Sequence, residues 1–172
     1  MNYQNNYQGG YQPNQNQPVN SGALGWDDEI EGGSGSAFTL LDEGDYCFKV
    51  KLVEKGWFDG NETMCASPKA IVTFAIYNKG ETVELKENFI LHEKLRWKIA
   101  NLFASVGLIR SAGEKVKMNW GAIPNQTGIC KIAIREYTGT DGQKHKINSI
   151  KNFYPIYADN LPNIQNPFKT GA

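Results

Sequence analysis

The sequence predicts an all-β domain with a single helix, in the order β-β-β-α-β-β, and three observations carry that expectation. Several short stretches alternate apolar and polar residues with a period of two, the mark of half-buried strands. One stretch, between the third and fourth of them, switches to the helical period. Compact turn signals, Asn78-Lys79-Gly80 and Asp141-Gly142, join neighbouring alternating stretches as hairpins.

In the first strand Tyr46, Phe48, Val50 and Leu52 alternate with Cys47, Lys49 and Lys51, and Gly56 with Asp59-Gly60-Asn61 marks the following turn. The second sets Ala70, Val72, Phe74 and Ile76 against Ile71, Thr73, Ala75 and Tyr77. Asn78-Lys79-Gly80 then turns the chain into a third strand carrying Val83 and Leu85, which completes a meander. Leu91, Leu95, Ile99, Leu102, Phe103 and Val106 form one apolar stripe of a helix, and Gly107 stops it. After a loop with Trp120, Gly121 and Pro124, Cys130, Ile132 and Ile134 alternate with Lys131, Ala133 and Arg135 in a fourth strand. The fifth runs from Lys144 to Phe153; Ile147 and Ile150 are out of step by one, so a bulge is expected near Asn148 or Ser149. A helix placed between strands three and four of a five-stranded chain is the order of an OB-fold-like Greek-key barrel, with a small β-sandwich as the competing architecture.

The chain has 172 residues, which suits one globular domain with extensions, and 40% hydrophobic content is enough for a core. Residues 1–36 are expected to be a tail outside the domain, 37–158 the domain, and 159–172 an extended C-terminal tail. The first 21 residues, built from Asn, Gln, Tyr, Gly and Pro without charge, cannot bury enough apolar area to offset the entropy of ordering, so disorder is expected. Tyr3, Tyr7 and Tyr11 recur there, and Trp26 and Ile30 sit among Asp27, Asp28, Glu29 and Glu31 in a segment expected to dock on the domain. The net charge of zero hides an asymmetry. Residues 1–36 carry four acids and no base, whereas residues 115–172 carry 8 bases and 3 acids, an excess that suits a polyanion.

Other classes find little support. No apolar run approaches the roughly 18 to 20 residues of a membrane span, and the start lacks a secretory pattern. A soluble protein of the cytoplasm is expected. Cys47, Cys65 and Cys130 are odd in number and contain no CxxC pair, so buried thiols are expected rather than disulfides or zinc. His92 and His145 have no ligand-spaced partners, Gly113 to Lys117 lacks the phosphate-loop pattern, no GxSxG is present, and Glu81, Glu84 and Glu87 read as surface charges. No enzymatic activity, metal or cofactor is expected.

Cations interleaved with aromatic rings along strands fit single-stranded nucleic acid, which needs a positive path for phosphates and flat rings for bases. The first strand offers Lys49, Lys51 and Lys55 and ends in Trp57 and Phe58; the second offers Lys69, Thr73 and Tyr77. The fourth carries Lys131, Arg135 and Tyr137, and the fifth Lys144, Lys146, Lys151, Phe153 and Tyr154. Phe153 and one of Trp57 or Phe58 are expected as core plugs, and Trp97 and Trp120 are expected to pack against the barrel. The rival reading is an assembly module that self-associates through sheet edges and its Tyr/Gln tail.

Four short segments carry a resemblance: Gly25-Trp26-Asp27-Asp28-Glu29-Ile30, Gly44-Asp45-Tyr46, Leu102 to Gly107, and Asn148-Ser149-Ile150 through Phe153. Over residues 25–155 the chain resembles a family of small phage and prophage proteins, known as a domain of unknown function and encoded among replication and recombination genes. The resemblance implies an OB-like, single-stranded DNA-binding protein acting in replication or recombination, and it carries over no catalytic residues; replication or recombination proteins and further copies of the chain are the expected protein partners. Bacterial single-stranded DNA-binding proteins end in an acidic tip, whereas this chain ends Asn-Pro-Phe-Lys-Thr-Gly-Ala. A recruiting or groove-covering role would fall to Asp27 to Glu31.

Overall fold

The computed structural model describes residues 39–168. The expected disorder of residues 1–36 and the docking of Trp26 lie outside them. Five strands form one antiparallel sheet: β1 (Gly44–Phe58), β2 (Ser67–Asn78), β3 (Glu81–Ile90), β4 (Thr127–Thr138) and β5 (Lys144–Tyr154), in the order β3-β2-β1-β4-β5. Between β3 and β4 a 3-10 turn (Glu93–Leu95) leads into α1 (Arg96–Ser105). The edge strands β3 and β5 have no ladder between them in the described residues; they meet through Phe89 and Phe153, whose ring centroids are 5.9 Å apart.

β1 serves two partners in succession. Its first part, Gly44 to Lys49, pairs with β4, and from Phe48 onward it pairs with β2, so only Phe48 and Lys49 have ladder partners on both sides. A bulge at Lys51 follows this handover and slips the alternation by one residue. Phe48 and Val50 face the core before it and Val53 packs there after it, while Leu52, expected inside, is 49% exposed. β5 also carries a bulge, but between Ile150 and Asn152 rather than near Asn148 or Ser149. Asn148 and Ser149 keep their ladder partners Ile134 and Ala133. The Asn148 side chain is held by Leu41: its Oδ1 accepts from the Leu41 N–H at 2.8 Å and its Nδ2 donates to the Leu41 carbonyl at 2.8 Å. That pairing anchors the start of the domain and buries Leu41.

The helix begins later than its apolar stripe. Leu91 donates its N–H to the Pro68 carbonyl, and His92 Nδ1 accepts from the Lys94 N–H, so residues 91–95 are spent on a tight turn before α1. Ile99, Leu102 and Phe103 then face the core. Gly107, at φ +81°, ends the helix in the left-handed conformation that glycine adopts without a Cβ clash. Trp97, expected against the domain, is exposed, because it falls opposite this buried face.

The core holds a cluster of aromatic rings among aliphatic side chains. Phe48 stands edge-on to Phe74 at 5.1 Å and to Phe153 at 5.6 Å, and Trp120 packs edge-on to Phe103 at 5.2 Å. β4 contributes an absence of side chain: a Cβ at Gly128 would lie 2.7 Å from Phe48 Cζ and 2.8 Å from the Ser105 carbonyl oxygen. Gly128→Ala is therefore expected to destabilise the domain by about 1–3 kcal/mol through overpacking, read as a lower urea midpoint at unchanged slope.

Candidate nucleic-acid interface

Side chains on a strand alternate between faces, so the ladder register sorts the candidate residues. Opposite the face that holds Phe48, Phe74 and Phe153, the outer face carries Lys49, Phe58, Lys69, Tyr77, Lys131, Arg135, Tyr137 and Tyr154. Lys51 joins them from its bulge through an ion pair with Glu84. Trp57, Lys144 and Lys146 belong to the other set of positions, and Lys151 sits in the β5 bulge.

The cations of the outer face differ in whether a carboxylate answers them. On β1 to β3 Lys51 is paired with Glu84 and Lys86 with Glu54 at 3.8 Å, while Lys49 and Lys69 have no carboxylate within ion-pair distance among the described residues. On β4 neither Lys131 nor Arg135 has a carboxylate within ion-pair distance among the described residues. On the other side of the β4-β5 hairpin lie Lys144 and Lys146, the latter 3.9 Å from Glu136. Trp57, Phe58 and Lys69 stand at the far end of β1 and β2, so the structure gathers Lys131, Arg135, Tyr137 and Tyr154 and leaves those three apart.

The hairpin is shaped by its turn. Gly142 adopts φ +74°, and Asp141 Oδ1 accepts from the Gln143 N–H at 2.9 Å. That bond, with a second from His145 at 3.0 Å, holds the Asp141 carboxyl below its usual value. Tyr137 and His145, directly opposite in the ladder, have ring centroids 5.4 Å apart and tilted by 30°. His145 had no role in the sequence reading, yet it lies as far after Asp141 as Tyr137 lies before it, a symmetry about the Asp-Gly turn that signals the pair.

At the base of the hairpin the Tyr154 hydroxyl donates to Asp45 Oδ1 at 2.8 Å. Burial and this carboxylate together push the Tyr154 phenol up to about 12. Of the three cysteines, Cys47 and Cys130 are buried and burial pushes the Cys130 thiol upward; Cys65, expected inside, is exposed in the loop before β2. No group of three His, Cys, Asp or Glu residues positioned for a metal ion occurs among the described residues, and none of their helices is long and apolar enough to cross a membrane. The chain matches no protein-family model and no curated protein.

The Tyr154 hydroxyl offers a direct check on this geometry. Its folded value lies above the ordinary 10.0, so the contribution of the Tyr154–Asp45 bond to stability is complete below pH 10 and is lost as pH rises toward 12. Carbon-13 NMR titration is expected to show the elevated Tyr154 midpoint. Asp45→Asn should bring it part of the way down, leaving the share due to burial.

Proposed function

We propose that this chain is a single-stranded DNA-binding protein of low sequence preference, acting in phage-type replication or recombination in the host cytoplasm, and that its domain is an OB-type barrel. The strand order, a β1 shared between two hairpins, and a helix between β3 and β4 support the barrel reading, as does the Phe89–Phe153 contact between the edge strands. The observation that carries the function is the β4-β5 hairpin. It presents Lys131 and Arg135 without carboxylate partners, beside the exposed Tyr137 ring and its His145 neighbour.

Such a hairpin has the two chemistries a single strand requires. Arg135 and Lys131 attract phosphates without first breaking an ion pair, and Tyr137 offers a face or edge to any base, because every base has a π-face. Neither feature reads a base edge, which accounts for low sequence preference. Lys49 continues the charge on the same face toward the middle of the sheet, and Lys144 and Lys146 add charge on the other side of the hairpin, Lys146 beside Glu136. The reading needs no metal or cofactor. Replication or recombination proteins, and further copies of the chain, are its protein partners.

Fluorescence anisotropy of labelled oligo-dT tests this reading, with duplex DNA and poly-U as competitors. Binding is expected to weaken with salt and to resist the duplex. Arg135→Ala should reduce the log–log salt slope by about 0.7, one phosphate contact, while Tyr137→Ala should weaken binding by about 1–3 kcal/mol at nearly unchanged slope. Both side chains are solvent-exposed, so folding should be unaffected. Absence of oligo-dT binding at low salt overturns the proposal; oligomers in sedimentation that ignore nucleic acid would then favour the assembly reading.

A further inference from the structure

The chain does not leave the domain after β5. Ile156 donates its N–H to the Ala104 carbonyl near the end of α1 at 3.1 Å, and residues 155–164 turn back through Pro155 and Pro162. The segment that follows reaches the outer face of the sheet at three strands. Cys47 Sγ of β1 lies 3.6 Å from the Gln165 carbonyl, to which it donates. Asn166 Nδ2 donates to Thr127 Oγ1 of β4 at 3.1 Å, and the Phe168 ring stands edge-on to Tyr77 of β2 at 6.2 Å. Asn166 Oδ1 also accepts from the Phe168 N–H, which fixes the bend between the two contacts.

These contacts span the ladder row that holds Lys49, whose partners are Ala75 and Thr127. Their effect shows in burial. Cys47 and Ala75 occupy outer-face positions, yet are only 1% and 7% exposed, and Lys49 and Tyr77 are half-buried. The contacts are all uncharged: a thiol to a carbonyl, an amide to a hydroxyl, one ring edge to another. Asp159 is the one charged residue in 155–168, and it forms no ion pair there.

We propose that residues 165–168 are a displaceable strap that competes with single-stranded DNA for the middle of the outer face. The inference rests on the single-strand reading above. A strand engaging Arg135 and Tyr137 on the open hairpin meets the strap when it continues toward Lys49 and Tyr77, and must lift it to advance. Because the strap is held by neutral contacts, lifting it requires no release of counterions. It therefore lowers affinity by a constant factor and leaves the salt slope nearly as it was, whereas losing a phosphate contact changes the slope.

The test uses the full chain. In Asn166→Ala/Phe168→Ala the strap loses two neutral hydrogen bonds, one to the sheet and one within its own bend, and one ring contact, and oligo-dT affinity is expected to rise on the order of tenfold with little change in salt slope. Hydrogen exchange of residues 163–168 should accelerate when oligo-dT is added to the native protein. A second variant fixes the strap in place: Thr127→Cys/Asn166→Cys in a Cys65→Ser background puts thiols at the two positions joined by the Asn166–Thr127 hydrogen bond. With the disulfide verified by mass spectrometry, oxidised protein should bind weakly and reductant should restore binding. Oligo-dT binding that is the same in the loosened, stapled and native proteins overturns the strap while leaving the DNA-binding reading intact. No binding by any of them, at low salt, overturns both.

Discussion

The ring of Phe48 over Gly128 is the contact on which the rest of this domain depends. Phe48 sits where β1 passes from β4 to β2, one of two residues with ladder partners on both sides. Its ring meets Phe74 of β2 and Phe153 of β5, and it fills the space that Gly128 leaves open beneath the end of α1. Buried rings contribute hydrophobic driving force alongside the aliphatic side chains around them, and edge-on pairs add to it. The Phe48 side chain holds the two hairpins together alongside the Phe74–Phe153 and Phe89–Phe153 ring contacts.

The handover explains the shape of the sheet. Because β4 pairs with the start of β1 and β2 with its remainder, the β4-β5 hairpin projects at one end of the sheet and the β1-β2 hairpin at the other. Among the cations, Lys51 and Lys86 face acids on adjacent strands, whereas Lys131 and Arg135 of β4 have no carboxylate within ion-pair distance among the described residues. Net charge alone would have counted them equally. What separates Lys51 from Arg135 is that a carboxylate already occupies the space in front of Lys51.

The C-terminal segment adds a second layer to the same argument. Its contacts with Cys47, Thr127 and Tyr77 come from three strands, so it reads the sheet as a surface rather than extending it as a sixth strand. Pro155, Pro162 and Pro167 limit its backbone donors and discourage ladder formation, which keeps the association side-chain-based. Contacts of that kind are individually small, the property a reversible cover needs.

The amino-acid sequence by itself determined the five strands, the helix between the third and fourth, and the Asp-Gly hairpin, because each is specified by neighbours a few residues away: Phe48 with Val50, Ile99 with Leu102, Asp141 with Gly142. It also marked Lys131, Arg135 and Tyr137 as neighbours on one strand face. It did not reveal which cations were already paired, since Lys51 and Glu84 are 33 residues apart and meet only through β2. Nor did it place the bulges. Leu52 continues the apolar alternation in sequence, and only the register slip at Lys51, where β1 passes from β4 to β2, turns it outward. The strap was equally hidden: a run of Asn, Pro and Gln reads as a tail, and what holds it is a set of contacts with residues 39 to 118 positions away, which tertiary folding alone brings together.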